Sequence, residues 1–172
     1  MSDRPTLSTA RLMLRPLGPD DADVLFATMA DDDVMRWWSR APFASVMELR
    51  SYFADGHPDR RAWAVTRIGD DRAIGFVSAG RRREGVCEIG YLLAREAWGQ
   101  GIAGEAVSTL IAHLFTAGER RLFADVDPDN AGSIRLLERL GFTLEGRLRG
   151  EWVTHIGTRD SLIFGLLAKE WP

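Results

Sequence analysis

The sequence is poor in cysteine and has no long apolar run, and both absences restrict the kind of protein it can be. The 172 residues include one cysteine, Cys87, so an internal disulfide framework is excluded. A single thiol suits a reducing compartment, and we expect a cytoplasmic location. No apolar run approaches the ~18 residues of a membrane span, and the N-terminus lacks the pattern of a signal peptide. We therefore expect no membrane partner.

An excess of basic residues and clustered metal ligands are also missing. The formal net charge of −3 argues against a nucleic-acid binder that relies on a broad basic surface. His57, His113 and His155 have no Cys or acidic partner at ligand spacing, so we expect no metal site. No repeat or linker divides the chain, and 45% hydrophobic residues suffice for a core. Residues 1–172 are therefore predicted to form one domain, as a monomer or a homodimer.

The stretch 88–104 combines a strand pattern, a glycine loop and the start of a helix. Its apolar run ends at Ala94, and Gly99, Gly101 and Gly104 lead into a helical pattern that Gly118 would end. The first turn of a helix has unpaired backbone N–H groups and a positive dipole end, and glycines let an anion approach them closely. The junction therefore predicts a site for a phosphate-bearing ligand, although such turns also occur for packing alone.

The glycine spacing also matches the dinucleotide-binding fingerprint, with an acid, Asp125, about 20 residues further on. In that fold, however, the strand runs directly into the first glycine, whereas residues 94–98 intervene here. The chain after Asp125 is also too short for the remaining strand and helix pairs of a doubly wound sheet. A dinucleotide site is therefore disfavoured.

A second motif favours another family. Residues 127–142 read DPDNAGSIRLLERLGF, which places Asn130 and Ser133 ahead of a Gly-Phe pair. Together with WGQGIAGEA at residues 98–106, this resembles the GNAT acetyltransferases, and more closely the branch that contains the ribosomal-protein N-terminal acetyltransferases RimJ and RimL. The resemblance covers nearly the whole chain. It implies an α+β GNAT acyl-CoA N-acyltransferase fold, in which helices flank a central mixed, mostly antiparallel seven-stranded sheet.

The resemblance further implies that the sheet splays between the Glu88 and Leu122 strands, which leaves a slot for the pantetheine arm of acetyl-CoA, the co-substrate. The thioester carbonyl would meet a backbone N–H group of Leu93 or its neighbours. Phosphate contacts would come from the glycine loop, because Trp98 stands where the wider family usually has Arg or Gln. The residues expected to bind the coenzyme are Leu92, Leu93, Ala94, Trp98, Gly99, Gln100, Gly101, Ile102, Ala103, Gly104, Asn130 and Ser133.

Acetyl transfer by direct attack on the thioester benefits from a proton donor for the departing thiolate. Many GNAT enzymes carry a tyrosine seven residues after the motif asparagine, but here that position is Leu137. Ser133 is then the candidate donor, and Asn130 would contact the pantetheine arm. Both residues can also be explained as the N-cap and first turn of a helix, and the two roles are compatible.

The attacking amine must also lose a proton. Glu88 is the first candidate for the base and Asp125 the second, whereas Glu105 is better explained as a favourable charge at the start of a helix. A weak base would favour an α-amine acceptor, because neutralising a lysine at pH 7 costs about 3 kcal/mol more.

Three tryptophans are candidates for the acceptor site. Trp37 and Trp38 could form an acceptor wall or pack under a loop, and Trp152 lies in the predicted loop 150–158. The expected function is transfer of an acetyl group to a protein N-terminal α-amine or a small amine. The alternatives are an antibiotic or polyamine acetyltransferase and a non-catalytic, CoA-binding regulatory domain.

Periodicity predicts the individual elements. One helix follows Pro19, and a second begins at the capping box Ser45-x-x-Glu48. Turns are expected at 69–72 and at 81–85, where three consecutive arginines would be exposed. Seven strands are expected, over residues 9–17, 62–68, 73–79, 86–94, 121–126, 142–149 and 159–167.

Overall fold

The computed structural model describes residues 4–55 and 59–172. Eight strands in these ranges form one sheet in the order β1-β2-β3-β4-β5-β6-β8-β7. The strands are β1 (Leu7–Ser8), β2 (Leu12–Pro16), β3 (Arg60–Arg67), β4 (Asp70–Arg83), β5 (Val86–Leu93), β6 (Arg121–Val126), β7 (Thr143–Thr154) and β8 (Gly157–Leu167). The helices are α1 (Asp21–Met29), α2 (Val46–Ala54), α3 (Ile102–Thr116) and α4 (Ala131–Arg139). The expected α+β class and mixed, mostly antiparallel sheet are confirmed.

The sheet has eight strands rather than seven because a short strand, Leu7–Ser8, precedes the first predicted strand, which begins at Leu12 instead of Thr9. Thr9 Oγ1 accepts hydrogen bonds from the N–H groups of Arg11 (3.2 Å) and Leu12 (2.9 Å), and the Thr9 N–H group donates to the Leu12 carbonyl. This tight turn folds Leu7–Ser8 back onto β2. A threonine that satisfies the backbone of its own turn thus replaces the expected start of the strand and separates β1 from β2.

The sheet splays where the resemblance implied. The parallel pairing of β5 with β6 is limited to Val86 with Arg121, Cys87 with Leu122 and Glu88 with Phe123. Beyond Glu88, β5 continues to Leu93 while pairing only with β4. The two parallel strands therefore leave a slot between them at their C-terminal ends.

Hydrophobic packing on the two faces of the sheet fixes the helices around this slot. One cluster joins the sheet to α3 and α4, and it includes Ile89 and Leu93 of β5. The other joins the opposite face to α1 and α2 and includes Leu92. Because side chains alternate along a strand, β5 contributes to both layers and presents its edge to the slot.

Two predicted loops are strands in the structure. β4 extends through Arg83, so the arginines expected at an exposed turn lie in a strand, where Arg81 Nη2 is 3.2 Å from a carboxylate oxygen of Glu119. The predicted loop 150–158 is mostly strand, since β7 and β8 form a long hairpin with an irregular register between Leu148 and Trp152. The turn predicted at 69–72 is also tighter, because Arg67 already pairs with Asp70.

Gly75 is required where β4 pairs with β5. Its φ is +155°, and a Cβ atom there would overlap the Leu92 carbonyl oxygen and lie 2.8 Å from the Leu93 Cα atom. We expect Gly75→Ala to lower the free energy of unfolding by about 3 kcal/mol, because neither backbone atom can move without breaking the sheet. Urea denaturation measures this difference.

Gly165→Ala is the matched control. The added Cβ atom would also be crowded, at 2.6 Å from Arg121 Nη1, but here it meets the mobile ends of the Arg121–Glu145 ion pair. We expect a loss of about 1 kcal/mol or less, because the ends of these side chains can shift and a partly exposed ion pair contributes little. An equal loss in the two variants would contradict the packing explanation for Gly75.

Candidate active site

The slot opens into a groove of about 1020 Å³ between the two helical layers. Every residue that the sequence assigned to the coenzyme, to catalysis or to the acceptor lines this groove, except Ala94 and Gln100. The sequence-based site is therefore brought together from β5, β6, α3, α4, β7 and the segment after α1.

The backbone N–H groups of Leu93 and Ala94 point to opposite edges of β5. The Ala94 N–H group donates to the Ile74 carbonyl (2.9 Å) and thus points towards β4. Successive peptide groups of a strand face opposite edges, so the Leu93 N–H group points into the slot. The Leu93 carbonyl, on that same edge, accepts from Trp98 Nε1 at 2.9 Å. Leu93, rather than Ala94, offers the free backbone donor.

The glycine loop presents the start of α3 to the groove. Gly99 and Gly101 have φ values of +71° and +76°, and Gly101 is the N-cap with no side chain to bond the first turn. The N–H groups of that turn have no partner within the helix, and none is taken by a capping side chain. An anion in the groove can accept hydrogen bonds from them and is favoured by the helix dipole.

Gln100 holds the loop from behind instead of facing the groove. Its Oε1 accepts from Arg67 Nη2 (2.9 Å), and its backbone carbonyl accepts from Arg11 Nη1 (3.1 Å). Arg11 also bonds Glu105 (2.7 Å), and hydrogen bonds from Thr9 and Arg11 lower the pKa of Glu105. These bonds stabilise the loop, and they leave the expected help from Gln100 in phosphate binding without support.

The first turn of α4 carries Asn130 and Ser133. Asn130 is the N-cap, and its Oδ1 accepts from the Ser133 N–H group at 3.2 Å, which confirms the capping role. Ser133 Oγ lies 2.5 Å from the hydroxyl of Tyr91 on β5. Leu137, at the position of the usual family tyrosine, is fully buried in the core. Sequence reasoning missed Tyr91, whose burial raises its pKa to about 12.

The two candidate bases stand on either side of the slot and have different partners. Glu88 Oε2 accepts from Arg82 Nε at 2.7 Å. Asp125 accepts from Trp152 Nε1 at 2.9 Å and from the Ser161 hydroxyl, both neutral donors. Alternation along β5 and β6 places both carboxylates on the face of the sheet that carries α1 and α2.

The three candidate tryptophans line the groove in different ways. Trp38 packs edge-on against Phe76 (5.8 Å between ring centroids) and so serves the core while lining the groove. Trp37 has the guanidinium of Arg159 at 5.8 Å from its ring, and Trp152 is 42% exposed. Core packing, one of the two interpretations of the sequence, thus applies to Trp38, whereas an acceptor wall stays a prediction.

In residues 4–55 and 59–172, no group of three or more His, Cys, Asp and Glu side chains could hold a metal ion. His57, named in the sequence analysis, lies outside these ranges. Among the helices of the same ranges, none is both long enough and apolar enough to cross a bilayer.

Comparisons of the sequence and of the structure with known proteins agree on one family. A profile described as an acetyltransferase (GNAT) domain matches residues 11–143. The chain is 35% identical to the uncharacterized N-acetyltransferase p20 of Bacillus licheniformis, over 96% of this chain and 98% of that protein. A crystal structure of a probable GNAT-family acetyltransferase from Chromobacterium violaceum superposes with a TM-score of 0.91 at 27% identity, covering 99% of this chain and 90% of that one.

Relatives with named acceptors are more distant. The spermidine N(1)-acetyltransferase of Escherichia coli is 26% identical over 90% of this chain and 85% of its own. The ribosomal-protein-serine acetyltransferase of the same organism is 39% identical, but over only 46% of each chain. The expected RimJ and RimL branch is therefore not specifically confirmed.

Proposed function

Because the chain belongs to the GNAT acetyltransferase family, whose members use acetyl-CoA, we propose that it acetylates the α-amine of a protein N-terminus, or a small primary amine, by direct attack on the thioester. The observation that carries this proposal is the slot between β5 and β6, with the Leu93 N–H group on one side and the Ser133 hydroxyl beyond it on α4. The acceptor enters from the face that carries α1 and α2.

Each step of the reaction has a residue suited to it. The diphosphate lies at the start of α3, and the Leu93 N–H group donates to the thioester carbonyl as its oxygen becomes negative. The amine nitrogen attacks the carbonyl carbon, and the carbon–sulfur bond breaks. Ser133 donates a hydrogen bond to the departing thiolate, while Asn130 contacts the pantetheine arm. The amine proton leaves through water to Glu88 or Asp125.

The charges around the groove favour an α-amine over a polyamine. Most carboxylates that line the groove already form ion pairs with arginines of the protein. Asp127 is 2.7 Å from Arg159, and Asp33 is 2.6 Å from Arg95. Asp125 is bonded to neutral donors, so it can receive one cationic group. A polycation would need several unpaired carboxylates. A spermidine-type acceptor is the second candidate, since a relative carries that name.

Thiol release from acetyl-CoA with a panel of acceptors tests the proposal. We expect release with a lysine-containing peptide that has a free N-terminus. We expect none with the same peptide once its N-terminus is acetylated and the lysine is the only free amine. Release with spermidine alone would support the second candidate. Binding of acetyl-CoA without release for any acceptor would indicate a non-catalytic, CoA-binding regulatory domain.

A further inference from the structure

The contact between Tyr91 and Ser133 joins β5, on one side of the slot, to α4, which follows β6 on the other side. Tyr91 lies on β5 two residues before Leu93, so both residues face the same layer of the fold. Its hydroxyl reaches across to Ser133 Oγ at 2.5 Å, and both side chains line the groove. The hydroxyl pair is thus placed between the strand that offers the Leu93 donor and the helix that offers Ser133.

The acidities of the two groups determine the direction of this hydrogen bond. A phenol has a pKa near ~10 and is a much stronger acid than an alkyl alcohol. The phenol O–H group is therefore the better donor, and the alcohol oxygen is the better acceptor. The Ser133 hydroxyl carries a single proton, and this arrangement leaves that proton free for another acceptor.

The surroundings of Ser133 fix its oxygen but not its proton. The backbone of Ser133 is held by the Asn130 cap, at 3.2 Å, while the hydroxyl can rotate about its C–O bond. A donor that occupies one lone pair restricts that rotation. Tyr91 is the group at hydrogen-bond distance that can do so.

We propose that Tyr91 is a positioning residue, which donates to Ser133 Oγ and thereby directs the Ser133 proton into the slot, towards the departing sulfur. The proposal rests on the role given to Ser133 in the proposed function. As the carbon–sulfur bond breaks, Ser133 donates to the developing thiolate. The proton that finally protonates sulfur is balanced by the one that the amine loses on forming the amide, so both hydroxyl groups end unchanged.

Burial supports this role because it keeps the phenol protonated. Desolvation raises the pKa of Tyr91 to about 12. Below that pH the phenol stays neutral and can donate its proton to a hydrogen bond. We therefore expect that deprotonation of Tyr91 does not lower kcat between pH 8 and pH 10. A wild-type kcat that falls across this range, with the fall absent in Tyr91→Phe, would contradict the assignment.

Single and double variants test the proposal. Tyr91→Phe keeps the ring and should lower kcat about 10-fold while the Kd for acetyl-CoA changes by less than about twofold, because only the orientation of the Ser133 proton is lost. Once Ser133 is alanine, Tyr91 has nothing to orient, so Tyr91→Phe/Ser133→Ala should be no slower than Ser133→Ala. An unchanged kcat in Tyr91→Phe, or losses that multiply in the double variant, would overturn the proposal.

Thr66→Val is the matched control for loss of a buried hydroxyl group. Thr66 is buried on β3, and its Oγ1 donates to the Met13 carbonyl at 3.1 Å, away from the groove. We expect Thr66→Val to lower stability and leave kcat unchanged. The variants also distinguish the role of Ser133 in the proposed function from the positioning role of Tyr91. A normal kcat in Ser133→Ala would remove the role of Ser133 itself. A low kcat there with a normal Tyr91→Phe would remove only the role of Tyr91.

Discussion

Gly101→Val is expected to raise the Kd for acetyl-CoA at least ~100-fold, a loss of about 2.7 kcal/mol of binding free energy. Gly101 has a φ of +76° and lines the groove at the N-terminus of α3. A β-branched side chain there strains the left-handed backbone and stands where the diphosphate must approach the N–H groups of the first turn. The fold itself should survive, since an added Cβ atom meets only Arg11 Nη2, at 3.6 Å.

Gly118→Val is the control, because it introduces the same strain at the other end of the same helix. Gly118 has a φ of +94°, and nothing lies within 4 Å of an added Cβ atom. Each substitution should lower the free energy of unfolding by roughly 1–2 kcal/mol. Calorimetric titration should show wild-type affinity for Gly118→Val. Wild-type affinity for Gly101→Val as well would mean that the phosphates do not bind at the start of α3.

Ser133→Ala is expected to lower kcat about 100-fold while the Kd for acetyl-CoA stays within about twofold of wild type. A positioned proton donor contributes ~10²–10⁴-fold to a rate. In the proposed function Ser133 acts on the leaving thiolate, which forms only during the reaction. The cap of α4 is retained, because the bond to Asn130 Oδ1 comes from the backbone N–H group of residue 133.

Ser133→Thr keeps a hydroxyl group at the same position and should retain much more of the activity than Ser133→Ala. Stopped-flow or steady-state measurement of thiol release, with the acceptor identified by the panel, gives kcat for each variant. Equal turnover of Ser133→Ala and wild type would remove Ser133 from the mechanism.

Local patterns were enough to predict the parts of the site that a single stretch of chain forms. The loop with Gly99 and Gly101 leads into α3 as expected, and α3 ends before Gly118. The same holds for the cap of α2, where Ser45 Oγ accepts from the Glu48 N–H group. In each case the physical cause, a positive φ or an uncapped N–H group, lies within a few residues of its effect.

Contacts between distant residues could not be predicted in this way. Tyr91 and Ser133 are separated by 42 positions, and their contact depends on how β5 and α4 pack. The sequence predicts a loop at Trp152, but this residue lies on β7 and its indole N–H donates to Asp125, 27 positions away. Alternation in β7 is weak because nearly every residue of that edge strand is exposed, so its sequence does not mark it as a strand.

Amide hydrogen exchange, measured with and without acetyl-CoA, tests most directly whether the coenzyme lies between β5, the glycine loop and α4. The account predicts that acetyl-CoA slows exchange over residues 91–93, 99–104 and 130–133. The cleft at the opposite end of β5, between residues 83–85 and 117–120, should be unaffected. Protection of that cleft alone, or tight binding with no protection of 99–104, would contradict the assignment of the coenzyme site.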